Sequence, residues 1–178
     1  MKLCFVTNNK NKLSEVSSII KNIEIISLED IGFYEDIPET GSSLKENSQL
    51  KAKSIYEKFN IDCFADDTGL EIDCLNGEPG VYSARYAGNK NTSKDNIDLV
   101  LKKMKNITNR NAQFRTIITL YLDSKVYFFE GSVIGSISSE PIGNFGFGYD
   151  SIFLPKGYDL TFAQMNSDAK NKISHRKK

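Results

Sequence analysis

The stretch FADDTG, Phe64–Gly69, sets two aspartates side by side where an apolar run gives out. If Cys63–Ala65 close a strand, successive side chains point to opposite faces. Asp66 and Asp67 then cannot play the same part. One serves the packed side or a local hydrogen bond, and the other faces a cleft. Asp67 together with Glu39 of the upstream PETG can hold Mg2+, which takes one or two carboxylates and completes its shell with water and phosphate oxygens. The competing reading makes the pair an Asx turn at a strand end.

Other segments suit the same chemistry. TNNKNK (Thr7, Asn8, Asn9, Lys10, Asn11, Lys12) sits where a strand hands over to a helix, and a helix N-terminus presents N–H groups and positive dipole to phosphate. Thr7 adds a hydroxyl, Asn9 an amide and Lys12 an ammonium, while Asn8 tolerates left-handed backbone. The segment is not a Walker pattern, and taken alone an ordinary polar loop is the simpler reading. Asn47 and Lys51, four apart, share a helical face; a lysine near carboxylates is a salt-bridge partner or a phosphate ligand. In NFGFGYD, Asn144–Asp150, Phe147 can stack on a base while the glycines let backbone N–H groups approach, or the aromatics tuck into the core. In SHRKK, His175 and Arg176 can read an acceptor edge, or the segment is a frayed basic tail. Phosphate grips, a metal seat, a stacking ring and an edge reader are the parts of a nucleoside triphosphate site.

These residues need a frame. Leu3–Val6 reads as a buried strand, and Leu13, Val16, Ile19 and Ile20 follow with helical spacing. Ile23–Leu28 suggests a second strand. Ser42 or Ser43 can cap a helix to about Phe59, with Leu44, Ser48, Ala52, Ile55 and Phe59 inward. Ile61–Ala65 reads as the next strand, and the glycines of residues 69–91 predict a long loop. Thr92 or Ser93 caps a helix carrying Ile97, Val100, Leu101 and Met104. Phe114–Leu122, Val126–Glu130 and Ser132–Ile137 are β-rich with a short turn at 123–125, and a last helix is expected from near Thr161. Helix-crossed strands followed by a meander predict an α/β fold with a mixed sheet.

The totals agree with one domain over residues 1–178. Apolar residues make up 39% and charged residues 26% of the chain, as in soluble proteins. Lys+Arg and Asp+Glu both number 23, so no net field draws the chain to nucleic acid or an anionic membrane. No apolar run reaches membrane-spanning length. Cys4, Cys63 and Cys74 form no C-x-x-C pair, which suits reduced thiols in a cytoplasm. The single histidine, His175, excludes a multi-histidine metal site.

T-x-N-x-x-K (Thr7, Asn9, Lys12), ETG (Glu39–Gly41), Glu46–Ala52, ADDTGL (Ala65–Leu70), GEPGVYSARYAG (Gly77–Gly88), FGYD (Phe147–Asp150) and SHR (Ser174–Arg176) occur in this order. Over nearly the whole chain this resembles the inosine triphosphate pyrophosphatase family, which clears non-standard purine nucleotides. The resemblance implies an elongated α/β fold: a long mixed sheet flanked by helices, with two lobes and the active site between them. It implies Mg2+-dependent hydrolysis of ITP, dITP and XTP to monophosphate and pyrophosphate, and a homodimer. By position, Asp67 matches the catalytic acid, Glu39 the metal-site acid and Thr7–Lys12 the phosphate loop. Lys51, Thr68, Phe147, Gly148, Tyr149, Asp150, Lys170, His175 and Arg176 match substrate-binding positions. Thr68 stands where serine is commoner and Asn8 where glycine is frequent. Relatives also continue into a further helix after the SHR segment. On this resemblance Asp67 faces the cleft and Asp66 fixes a turn, while Lys12, Lys51 and Lys170 neutralise the triphosphate. The rival readings are a pyrophosphatase for pyrimidine or modified nucleotides, a nucleotide sensor without turnover and, given the zero net charge, least of all an RNA-binding module.

Overall fold

Alternation along the first strand decides which helix covers which side of the sheet. In the computed structural model, which describes residues 1–88 and 92–178, β1 (Lys2–Phe5) turns Leu3 and Phe5 to one face and Cys4, with Val6 beyond it, to the other. Leu13, Val16 and Ile20, on or just after α1 (Lys10–Ile19), pack on Leu3, Phe5 and Phe64; the Phe5 and Phe64 rings stack at 4.6 Å. On the opposite face, Ala52 and Ile55 of α2 (Leu44–Phe59) pack on Cys4, Val6, Cys63 and Ala65. Ser43 caps α2 by accepting from the Glu46 N–H, and Asn60 ends it in left-handed geometry, as a short amide side chain permits.

β2 is Glu24–Ile26, β3 Cys63–Ile72, β4 Asn111–Leu122, β5 Lys125–Ile137 and β6 Phe153–Pro155. They form one six-stranded sheet in the order β2-β1-β3-β4-β5-β6. β1 runs parallel to β2 and β3, and β5 antiparallel to β6, so the sheet is mixed, as expected. Asp123 and Ser124 link β4 to β5 with positive φ at both positions, the requirement of a type I′ hairpin turn. Thr92 caps α3 (Ser93–Lys103) through a capping box with Asp95, and α4 spans Ser167–Ile173.

The chain divides into two compact units, Met1–Asp67 with Thr116–Glu130 and Thr68–Arg115 with Gly131–Lys178. The first holds the cores just described. The second is built on Leu70, Ile72, Val100, Met104, Phe114, Ile137, Ile152, Phe153 and Phe162.

Four expectations change. β3 does not stop at Ala65 but runs through Asp66, Asp67 and Gly69 to Ile72, so DDTG is neither a strand end nor a turn. Of the loop expected over 69–91, residues 69–72 are strand, 73–75 and 80–85 are short 3-10 turns, and residues 89–91 lie outside the described residues. The two strands expected around Gly131 are one; a side chain at 131 would run into the His175 carbonyl, so this glycine serves a close approach rather than a break. Thr161 caps a 3-10 turn, Phe162–Gln164, and the last helix begins instead at Ser167 behind its Asn166 cap.

Gly69 misled the sequence reading for the same reason. A Cβ there would lie 2.5 Å from the Gly80 carbonyl oxygen, while the next residue, Leu70, donates its N–H to Ser83 Oγ at 2.9 Å. The Gly69→Ala substitution is expected to destabilise the fold by about 1–3 kcal/mol, as overpacking does, measured by denaturant unfolding. Unchanged stability would show that the 79–83 segment yields freely.

Candidate active site

Strand alternation carried past Ala65 places the two aspartates. Residues 63, 65 and 67 share the face covered by α2, and residues 64 and 66 the face covered by α1. Asp66, buried at 2% exposure, therefore meets Lys12 of α1, with Nζ to Oδ1 at 2.9 Å. Asp67 meets α2: Asn47 donates its Nδ2 to Oδ2 at 3.2 Å, and Lys51 Nζ lies 3.5 Å from Oδ1. The different roles expected of the two aspartates are thus visible, but Asp66 secures a lysine rather than a turn.

Glu39 reaches the same place through its loop. Gly41 donates its N–H to Asn47 Oδ1 at 2.8 Å, and Glu39 Oε1 accepts from Lys51 Nζ at 2.6 Å. Asn47 thus ties the ETG loop to Asp67, a role that the sequence reading left unassigned although it put Asn47 on the Lys51 face. Thr116 closes the strand side by donating its hydroxyl to the Asp67 carbonyl at 3.2 Å.

The charges are interdependent. Burial pushes the Asp67 carboxyl upward and Glu39 adds to this, while Lys51, Lys12 and the Asn47 hydrogen bond pull it down; the result is raised. Burial lowers the Lys51 ammonium, but Asp67, Asp66 and Glu39 more than offset that and leave it raised. An acid that binds protons more readily than usual, beside a firmly charged lysine, is equipped to take a proton from water next to an anion.

The TNNKNK segment is organised differently from expectation. Asn9 is the cap of α1, and its Oδ1 accepts from the Asn11 and Lys12 N–H groups at 3.0 and 3.2 Å, so those amides already have a partner. Thr7 Oγ1 accepts from the Asn9 N–H. Asn8 donates to Asp36 at 2.8 Å, and Lys10 lies 3.9 Å from Glu29 with its side chain 88% exposed. Of this segment, only Lys12 joins the aspartates.

The second unit holds a separate constellation. Gly146, in left-handed geometry, leaves no room for a side chain against the Asp150 carboxylate. Asp150 Oδ2 accepts from the Phe147 N–H at 2.8 Å and from Lys170 Nζ at 2.6 Å. This sets the Lys170 ammonium 4.6 Å from the centre of the Phe147 ring, with the Arg176 guanidinium 5.8 Å from the same centre. Both are cation–π distances. Arg176 also donates to Thr68 Oγ1 at 3.1 Å. Within this unit Lys170 is thus held between the Asp150 carboxylate and the Phe147 ring.

Two further residues are placed otherwise than read. Tyr149 is a core residue whose hydroxyl donates to the Ser83 carbonyl at 2.8 Å, and burial pushes that hydroxyl far up. Its neighbour Gly148 has positive φ with open space around it, so it shapes the loop. His175 is buried with its ring stacked 5.1 Å from that of Phe114. The SHR segment is not frayed: Ser174, His175 and Arg176 are buried and only Lys177 and Lys178 are exposed.

The carboxylates fit a magnesium ion in number and kind. Glu39 and Asp67 converge on a single cation, the Lys51 ammonium, and among the described residues no group of three or more His, Cys, Asp or Glu side chains assembles for a metal. A hard cation held by two carboxylates and completed by water and phosphate oxygens suits this donor set.

Residues 3–178 match the sequence model of the Ham1 family. The chain is 52% identical over its whole length to the dITP/XTP pyrophosphatase of Flavobacterium johnsoniae, covering 93% of that protein. It is 44% identical to the dITP/XTP pyrophosphatase of Bacillus subtilis, with 96% of this chain and 88% of that one covered. Its fold is similar to that of the Staphylococcus aureus Ham1 protein, with a TM-score of 0.88 at 38% identity over 99% of this chain and 92% of that one.

Because burial raises the Asp67 carboxyl, its ionisation costs folding energy once pH rises past the ordinary aspartate value of about 3.9. Asp67→Asn, always neutral, is expected to raise the thermal unfolding midpoint of the metal-free chain at pH 7. The advantage should vanish below about pH 4, where the Asp67 carboxyl is protonated in the folded and the unfolded chain alike. A lowered midpoint at pH 7 would show that the lysine contacts outweigh burial.

Proposed function

The chain belongs to the Ham1 family, and we accordingly propose that it hydrolyses non-standard purine nucleoside triphosphates (dITP, ITP and XTP) to the monophosphate and pyrophosphate, clearing them from the nucleotide pool. The observation that carries this reading is the cluster of buried Asp67 and Lys51 with half-buried Glu39, in which Asn47 bonds Asp67 and Gly41 of the loop that bears Glu39. A water oxygen forms a bond to the α-phosphorus and the bond from that phosphorus to the α–β bridging oxygen breaks. The electron pair departs with pyrophosphate. Asp67 takes the proton of the water, a role suited to its raised carboxyl. Glu39 and Asp67 would hold Mg2+, which supplies a Lewis acid at the phosphoryl oxygen. Lys51 and Lys12 would neutralise charge on the triphosphate, each by loosening its present carboxylate pairing.

Base recognition falls to the second unit in this reading. Phe147 is the stacking plate and Arg176 the donor to the purine 6-keto oxygen. Adenine carries an amino donor there and would leave Arg176 mispaired; a site built to bond one polar group rejects the analogue lacking it by up to about 10⁴-fold. His175, the neighbour of Arg176, is buried with its ring stacked on Phe114.

The same reading makes the protein a cytoplasmic homodimer. No described helix is long and apolar enough to cross a membrane, and Cys4, Cys63 and Cys74 are free thiols. Val126 and Phe128 on one face of β5, and Tyr127 and Phe129 on the other, are each at least 40% exposed; exposed apolar side chains of this size favour a partner surface.

Pyrophosphate release measured across dITP, ITP, XTP, GTP, ATP and the pyrimidine triphosphates tests the assignment. The three non-standard purines should exceed ATP by at least about 10²-fold in kcat/KM; equal rates, or a preference for pyrimidines, would overturn it. Asp67→Asn should lower kcat by about 10²–10⁴-fold, and Asp66→Asn, which releases Lys12 but leaves the proton acceptor, by much less. Arg176→Ala should cost dITP more than ATP. An unchanged dITP-to-ATP ratio would place base reading in the Phe147–Asp150 loop alone.

A further inference from the structure

The two carboxylates that would seat the metal are themselves seated on an ammonium. Lys51 Nζ stands 2.6 Å from Glu39 Oε1 and 3.5 Å from Asp67 Oδ1, with its side chain only 10% exposed. We propose that Lys51 is an internal counter-cation that keeps the Glu39–Asp67 pair closed to a lone divalent ion, and that an arriving triphosphate opens the pair by drawing the ammonium onto its phosphate oxygens. The inference rests on the reading of that pair as the metal seat, and it makes the metal enter together with the nucleotide.

Charge balance drives the device. Two like carboxylates held close together raise each other's cost of ionisation, and Lys51 supplies the cation that relieves it. A divalent ion taking this position without nucleotide would strand the Lys51 ammonium among protein atoms, and an uncompensated buried charge is strongly unfavourable. Asp66 also acts on the Lys51 ammonium, but its carboxylate is already paired with Lys12 at 2.9 Å. A triphosphate changes the balance: it offers the displaced ammonium charge-assisted bonds to phosphate oxygen, and it completes the shell of a cation that two carboxylates alone hold poorly.

The seat and its plug are separable. Asn47 holds Asp67 by its Nδ2 and Gly41 of the ETG loop by its Oδ1, so Asp67 and the loop that carries Glu39 keep those bonds when Lys51 is changed. Removing the charge at 51 should open the seat without dismantling it.

The test is Mn2+ binding to the full chain without nucleotide, followed by calorimetry and by the loss of the free-ion paramagnetic resonance signal. The Lys51→Met variant is expected to bind Mn2+ at least about tenfold more tightly than the unchanged chain, and Lys51→Arg, which keeps the charge, to bind as weakly as the unchanged chain. Lys51→Met should unfold at a lower temperature without metal and recover with Mn2+. If it fails to fold, Lys51→Gln carries the same comparison. Adding Glu39→Gln to Lys51→Met should abolish the gain. Equal Mn2+ affinity in the unchanged chain and Lys51→Met, abolished in both by Glu39→Gln, overturns the counter-cation while leaving the metal seat standing. Mn2+ binding that Glu39→Gln does not touch in either background overturns the seat itself.

Discussion

Two consecutive carboxylates buried on one β-strand dictate how the first unit is built. An isolated ionised carboxylate in a protein interior is costly without partners, and alternation sends Asp66 and Asp67 to opposite faces, so no single cation can satisfy both. α1 must deliver Lys12 to one face and α2 must deliver Asn47 and Lys51 to the other. The placement of both helices, their caps and the ETG loop follows from that need as much as from the apolar residues beneath them.

Balance in this cluster is incomplete. Lys51 answers both Glu39 and Asp67, and burial leaves the Asp67 carboxyl raised. A fully satisfied aspartate would be a stable structural residue and a poor proton acceptor. The residual charge strain is a stability cost that stays concentrated where chemistry needs an acid able to change protonation state.

The second unit uses a carboxylate in the opposite way. Asp150 is buried and strongly engaged by the Phe147 N–H and by Lys170. Through those two bonds it positions a ring and a cation. The SHR segment gains its order from close approach, with Gly131 admitting the His175 carbonyl and Phe114 carrying the imidazole. Arg176 is thereby fixed near Phe147.

Much of this was legible in the chain. Helix periodicity located α1, α2 and α3, the caps at Ser43 and Thr92 followed from residue type, and the motifs from Thr7 to Arg176 pointed to the family. Local chemistry governs these features, because capping, periodicity and motif spacing involve neighbours in sequence. What stayed hidden depends on contacts between distant residues. Gly69 and Gly131 looked like strand breakers, yet they are strand residues whose missing side chains admit Gly80 and His175. Tyr149 and Lys170 find their partners in this structure, Ser83 and Asp150, 66 and 20 residues away. Residue order settled which charged and polar groups were available. Packing settled which carboxylate each lysine answers, because an ion pair between residues 12 and 66, or 51 and 67, exists only once two helices lie on opposite faces of one strand.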